Sequence, residues 1–204
     1  MAVYKASDSG LLTRREYTSF LAGNDMFVPF APSGAYDSIA TANPSAGTSF
    51  VDFTSIPSGY THLQIRAILR SNDGGSGNNF GIYARFNSDA GSSYALHFLT
   101  GNGSTVGAAG LASQTEMYWN AANPRNGDLA NTYSANIIDI LDYANTSKNK
   151  TVRTLSGDDL NGSGVVRLNS TLWMSTAAVT SIRIFMEGNY AANSQLALYG
   201  VKGS

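Results

Sequence analysis

Two histidines, several acidic turns and no cysteine make up most of the chemistry-bearing residues of this chain. His62 and His97 lie in the middle of two separate β-like stretches. A protein metal site needs three or four ligands. With no thiolate to add, each histidine reads as a strand residue facing solvent or an interface. Ser156-Gly157-Asp158-Asp159-Leu160-Asn161-Gly162 is the most acidic loop. It carries the oxygen donors of a calcium loop without the EF-hand spacing. Asn72-Asp73-Gly74-Gly75-Ser76-Gly77-Asn78-Asn79 has a similar composition, and Asp, Asn and Gly are also what tight turns use. Asp139 and Asp142, three apart on an apolar strand, face opposite sides. They do not form the carboxylate pair that a glycosidase holds about 5–10 Å apart. Glu116 and Glu187 are distant in sequence, and nothing in the pattern joins them. There is no G-x-S-x-G elbow, no H-E-x-x-H and no P-loop, and the glycines at 74–77 and 101–107 do not fit G-x-G-x-x-G. The expectation is a non-enzymatic protein with no cofactor and no bound metal.

The elements that carry these residues are β-strands. The chain has 204 residues, 43% apolar and only 13% charged, with 21 glycines and a formal net charge of −1. That length supports a core without disulfide staples. The near-zero charge gives no bulk attraction to nucleic acid or an anionic membrane. No run approaches the about 20 apolar residues of a membrane span, and the first residues lack an apolar signal core. From Tyr36 onward, period-two alternation predicts strands over 36–42, 49–54, 60–71, 80–87, 93–100, 116–119, 132–143, 151–155 and 165–176. Residues 180–204 read as a closing hairpin: Ile182, Ile184 and Met186, a polar turn at 188–193, then Leu196, Leu198 and Val201. Residues 80–87 and 93–100 read as another strand pair. The stretches 72–79, 101–112 and 121–131 read as long loops. Val166, Leu168, Leu172 and Met174 share one face of their strand. About ten strands at such spacing predict an antiparallel sandwich with jelly-roll or Greek-key connections.

Residues 1–35 differ from the body at 36–204 and read as an N-terminal arm. Thr13 and Glu16 have capping-box spacing, Tyr17, Phe20 and Leu21 form one helical stripe, and Gly23 suits a C-terminal cap. A short helix over 13–22 is expected. The arm's partner-binding candidates are Leu11, Leu12, Arg14, Arg15, Tyr17, Phe20 and Leu21. Within the body, Ile68 and Phe185 occupy the polar register of otherwise clean strands, beside Arg66 and Arg183. These four are the candidate subunit interface, because an outer sheet face that is partly apolar usually packs against something. Phe185→Asp is accordingly expected to weaken subunit association more than the fold. Among the aromatics, Tyr118, Trp119, Tyr133, Tyr143 and Tyr190 lie near loops or strand ends, where they either fill the core or anchor an interface.

Three stretches, GLLTRREYTSFLAGN at 10–24, IPSGYTHLQIR at 56–66 and LALYGVK at 196–202, make the chain resemble small structural proteins of tailed bacteriophages. That family includes capsid cement (decoration) proteins and tail-fibre or baseplate domains. The resemblance implies a jelly roll, often a homotrimer, and no catalytic residues. A compact body with an arm and no coiled-coil stem suits the cement role: a trimer bound to major capsid protein on the virion surface, assembled in the host cytoplasm. The alternative is a receptor- or glycan-binding domain of a tail fibre, baseplate or capsid surface, with the long loops engaging a host surface glycan.

Overall fold

The computed structural model describes residues 34–77, 80–120 and 122–203. The chain divides into Met1–Gly34 and Ala35–Ser204. The expected helix over 13–22, and all seven arm candidates, lie outside the described residues.

The body is all-β, with twelve strands: β1 Tyr36–Ala42, β2 Phe50–Phe53, β3 His62–Leu69, β4 Ile82–Phe86, β5 Tyr94–Gly101, β6 Val106–Gln114, β7 Met117–Asn120, β8 Ser134–Leu141, β9 Lys150–Asp159, β10 Gly164–Trp173, β11 Ile182–Met186 and β12 Gln195–Val201. They form an eight-stranded sheet in the order β1-β12-β3-β8-β9-β10-β5-β6 and a four-stranded sheet in the order β2-β11-β4-β7. Every pairing is antiparallel.

The period-two pattern builds the interior directly. Leu63, Ile65, Ala67 and Leu69 of β3, Ile138 and Ile140 of β8, and Leu196 and Leu198 of β12 point inward from the large sheet. Val51, Ile82, Ala84, Phe86, Ile182 and Ile184 meet them from the small one, and all belong to one buried cluster. Phe86 ties the layers, lying edge-on to Trp119 at 6.3 Å and to Trp173 at 5.5 Å. Trp119, Tyr143 and Tyr190 are fully buried, so the core-filling reading holds for these three.

Three expectations are corrected. Residues 182–201 are not a hairpin: β11 pairs β2 and β4 in the small sheet, and β12 pairs β1 and β3 in the large one. The connection between them crosses layers, and Tyr190 plugs the corner. Its hydroxyl donates to the Ile184 carbonyl at 3.1 Å, and its backbone bonds Thr48 and Gly47. β4 and β5 likewise lie in different sheets. Alternation reports which face is buried and is silent on which strand lies alongside, so consecutive strands were mistaken for neighbours. Finally, residues 106–114 form a strand where a loop was expected. Their small side chains have weak β-propensity, but pairing with β5 orders them. Gly110 fits because the ring of His97 lies over it, within 2.6 Å of where a Cβ would sit.

Val166, Leu168, Leu172 and Met174 do share a face, but that face is outward: Val166 and Leu168 are 60% and 48% exposed. The inward residues of β10 are Arg167, Asn169, Thr171 and Trp173. Asn169 Nδ2 donates to the Tyr118 and Trp119 carbonyls at 3.1 and 2.6 Å, joining the layers through β7. Arg167 lies 3.7 Å over the Phe98 ring and 4.7 Å over the Tyr118 ring. Trp173 Nε1 donates to Asp89 Oδ2 at 2.7 Å. Register here follows the tryptophan and these bridges, and the aliphatic row is left outside.

The Trp173 indole, helped by the Gly91 N–H and the Ser93 side chain, holds the Asp89 carboxyl below its ordinary 3.8 against the opposing effect of burial. A carboxylate depressed in the folded state stabilises fully above its unfolded pKa and loses that contribution as pH falls through the folded value. The melting temperature of the wild type therefore drops below about pH 4 by more than that of Asp89→Asn, with a red shift in tryptophan emission. Parallel melts of the two proteins from pH 6 to pH 2.5 check this, and identical pH profiles would refute it.

Candidate interaction surfaces

The outward face of the large sheet carries an unbroken apolar row. Ile137 of β8 is opposite Leu155 of β9, Leu155 opposite Leu168 of β10, Leu168 opposite Leu99 of β5, and Leu99 opposite Ala108 of β6. Ile137, Leu155, Leu168 and Leu99 are 41%, 52%, 48% and 51% exposed. A parallel row runs Ile68, Ala135, Gly157, Val166, Gly101, Val106. Cross-strand neighbours lie about 5 Å apart, so these side chains form one contiguous patch. A contiguous exposed apolar patch of this kind is a candidate interaction surface.

Two of the four interface candidates belong to this face. Ile68, 52% exposed, ends the second row, and Arg66 is opposite Ile137. Arg66 Nε donates to Gln64 Oε1 at 2.8 Å, and its guanidinium lies over Tyr36 and Tyr199. It marks the boundary between the apolar patch and the polar side of the sheet.

Arg183 and Phe185 lie on the opposite side of the molecule, on the outward face of the small sheet. There Phe50, Phe185, Tyr83 and Tyr118 fall opposite one another in register. Tyr83 stacks on Phe185 at 5.7 Å and on Tyr118 at 5.2 Å, and Arg85 lies 5.3 Å over Phe185. Arg183 forms a two-point pair with Asp52 at 2.8 and 2.7 Å and covers Phe50 at 4.2 Å. Burial pushes the Tyr83 hydroxyl up to about 12, with the neighbouring Tyr118, Glu187 and Glu116 adding to the shift. These groups are already stacked and paired within one chain, and Phe185 is half-buried. The four interface candidates thus separate into two faces that point away from each other.

The residues singled out for chemistry are distributed without convergence. His62 and His97 lie on β3 and β5, four strand spacings or about 19 Å apart. His62 Nδ1 accepts from the Asp142 N–H at 2.9 Å. Asp142 pairs with Lys148, which is the main cause holding its carboxyl below the usual range. Asp139 accepts from Gln64 Nε2 at 2.7 Å. Glu116 pairs with Arg85, and Glu187 accepts from the Gly81 N–H. Asp158 and Asp159 build the β9–β10 turn by accepting from the Val165, Asn161 and Gly162 N–H groups. Among the described residues, no group of three or more His, Asp or Glu side chains is placed to hold a metal.

Two of the three long loops are fused. Asp73 accepts from the Gly75 N–H at 2.9 Å and pairs with Arg125. Asp128 takes the Gly77 and Arg125 N–H groups at 2.7 Å each, and Gly127 bonds the Gly75 carbonyl at 2.9 Å. Beneath them Arg70, only 6% exposed, donates to the carbonyls of Leu129 and Thr132 at 2.8 Å, Arg125 at 2.6 Å and Asp128 at 3.2 Å. Period-two alternation over 60–71 puts Arg70 on the same side as Gln64 and Arg66, so the pattern alone does not reveal this clamp. Lys150 does the same at the other end, donating to the Asn145, Lys148 and Thr176 carbonyls. Beside the Arg70 lobe lies an open cleft of about 410 Å³, lined by Asn72, Asn126, Asn131, Tyr133 and Asn193 among others.

No family model, curated protein or solved structure matches this chain.

Proposed function

We propose that this protein is a non-enzymatic structural component of a tailed-bacteriophage virion, a capsid cement protein that binds the major capsid protein shell as a homotrimer and stabilises it. The observation that carries the reading is the apolar row Ile137, Leu155, Leu168 and Leu99, a partly exposed aliphatic surface of the body. The strand order supports the jelly-roll part. Without β5, β6, β9 and β10, two four-stranded sheets remain, β1-β12-β3-β8 and β2-β11-β4-β7. Eight strands so divided between two layers match a double Greek key. The four additional strands all extend one sheet, and they supply most of the apolar row. The trimer contact belongs on that face, in preference to the stacked and paired small sheet.

Cement would act by mass action: a partner that binds only the assembled shell adds about 2.7 kcal/mol per site at a hundredfold excess over Kd. Decoration of purified, expanded, undecorated capsids by the full chain tests this. Saturation at hundreds of copies with a higher rupture temperature is expected. Deleting residues 1–30 should abolish attachment while leaving the body folded. Absence of full-chain binding overturns the reading, and full occupancy by the truncated chain overturns the arm's role. A second reading, glycan binding, is favoured by the carboxamide-lined cleft beside Arg70. Cleft-dependent binding to host polysaccharide, with no capsid decoration, would select it.

A further inference from the structure

We infer that the free edge of β6 is a self-pairing site, completed by β6 of a second copy of this chain running antiparallel to it. Among the described residues, β6 is the last strand of the large sheet and is bonded on one side only. Its nine residues, VGAAGLASQ, include no charge and no proline, and every one is exposed or half-exposed.

Natural sheets protect such edges with charge, proline, bulges or short length. The other three sheet edges among the described residues have such devices. β1 has a register shift between Ser38 and Ala40, and its Asp37 pairs with Lys202 at 2.7 Å. β2 and β7 are four residues each, and Asp52 of β2 pairs with Arg183. On β6 the only irregularity is at the far end, where Ser113 has a φ of 55° and the register with β5 shifts between Tyr94 and Leu96. Residues 106–111 stay regular, with a backbone comb open to another strand. Gly107, Ala108, Ala109 and Gly110 keep side chains from blocking its approach.

The occupant follows from the same residues. A charge-free edge selects no charged partner, and two copies of net charge −1 repel little. An antiparallel pair about a two-fold axis normal to the sheet puts both outer faces on the same side. The row Ile137-Leu155-Leu168-Leu99-Ala108 then runs into its counterpart, so the join adds to an existing apolar strip. The stretch Phe27-Val28-Pro29-Phe30-Ala31-Pro32 is a poor substitute, because two of its six residues have no N–H to donate. The edge is distinct from the proposed trimer face, so two-fold pairing would join trimers in twos. It does not depend on the virion reading.

Ala109 lies opposite Phe98, so its side chain is on the other side of the sheet from the Leu99–Ala108 row, and it is exposed. Sedimentation equilibrium of the full chain, wild type against Ala109→Lys, tests this, together with concentration-dependent hydrogen exchange of the wild type. The wild type is expected to reach species of twice the mass that Ala109→Lys reaches. Edge pairing of the variant should be at least tenfold weaker at an unchanged melting temperature. Amides of residues 106–111 should exchange more slowly as wild-type concentration rises. A wild type with no such doubling and no such protection, or a folded Ala109→Lys that assembles like the wild type, overturns the inference. Leu168→Lys, which alters the face and leaves the edge intact, should still double. Failure to decorate capsids leaves these outcomes unchanged.

Discussion

Replacing Arg70 with methionine lowers stability by about 3–5 kcal/mol and opens residues 122–133 to protease. The methionine fills much of the arginine stem's volume but donates nothing. Four carbonyls, of Arg125, Asp128, Leu129 and Thr132, lose their shared donor. Charge-assisted bonds are the stronger kind, and buried acceptors left without a donor cost more than the bonds were worth. A typical domain is stable by about 5–15 kcal/mol, so the loss is a large fraction of the whole. It should appear first as local opening of the lobe, where Asp73, Arg125 and Asp128 depend on one another. Arg70→Lys keeps the charge but not the planar fork, and should fall between. Urea unfolding with limited proteolysis measures both effects. A methionine variant within 1 kcal/mol of wild type, with the lobe still resistant, would show that the guanidinium is not the clamp.

Leu168→Lys abolishes assembly through the large-sheet face while leaving the fold intact. Leu168 sits between Leu155 and Leu99 in the centre of the apolar row and is half-exposed in one chain. Substitution at such a position costs the monomer about 0.5 kcal/mol or less. At an interface centre the ammonium loses water without gaining a partner, a penalty of several kcal/mol, or at least a hundredfold in Kd. Sedimentation velocity with thermal melts separates the two costs. A Leu168→Lys protein that keeps the wild-type mass would remove this face as the contact. Phe185→Asp no longer offers a clean comparison, since Phe185 stacks on Tyr83 beneath Arg85 and its loss disturbs the small sheet itself.

How far the sequence could be read depends on which physical signal each feature leaves. Burial alternation is local, so the strand expected over 36–42 coincides with β1, and Leu63, Ile65, Ala67 and Leu69 of β3 and Ile82, Ala84 and Phe86 of β4 recur at every second residue as buried faces. Partner choice is non-local, which is why residues 182–201 resembled a hairpin although β11 and β12 lie in different sheets. Ile68 exposed one end of the apolar face. The rest had a signal in Val152 and Leu155, and in Ile137 beside Ile138, where aliphatics at odd spacing must occupy both faces of a strand. The Arg70 clamp left no such trace, because its acceptors are main-chain carbonyls that any residues could supply.

The place of β12 governs how the molecule comes into being. It lies between β1 and β3, so the first of the described strands has its one described neighbour in the last of them. During synthesis β1 and the flank of β3 wait as open edges until residue 201 leaves the ribosome. Pairing across nearly the full chain is slow and exposes such edges to other nascent chains. The scarcity of long aliphatic runs in β1 keeps that wait soluble, and a chain broken off before β12 would leave β1 without its partner and β3 with an open edge, although β3 to β6 could still pair in the order β3-β8-β9-β10-β5-β6.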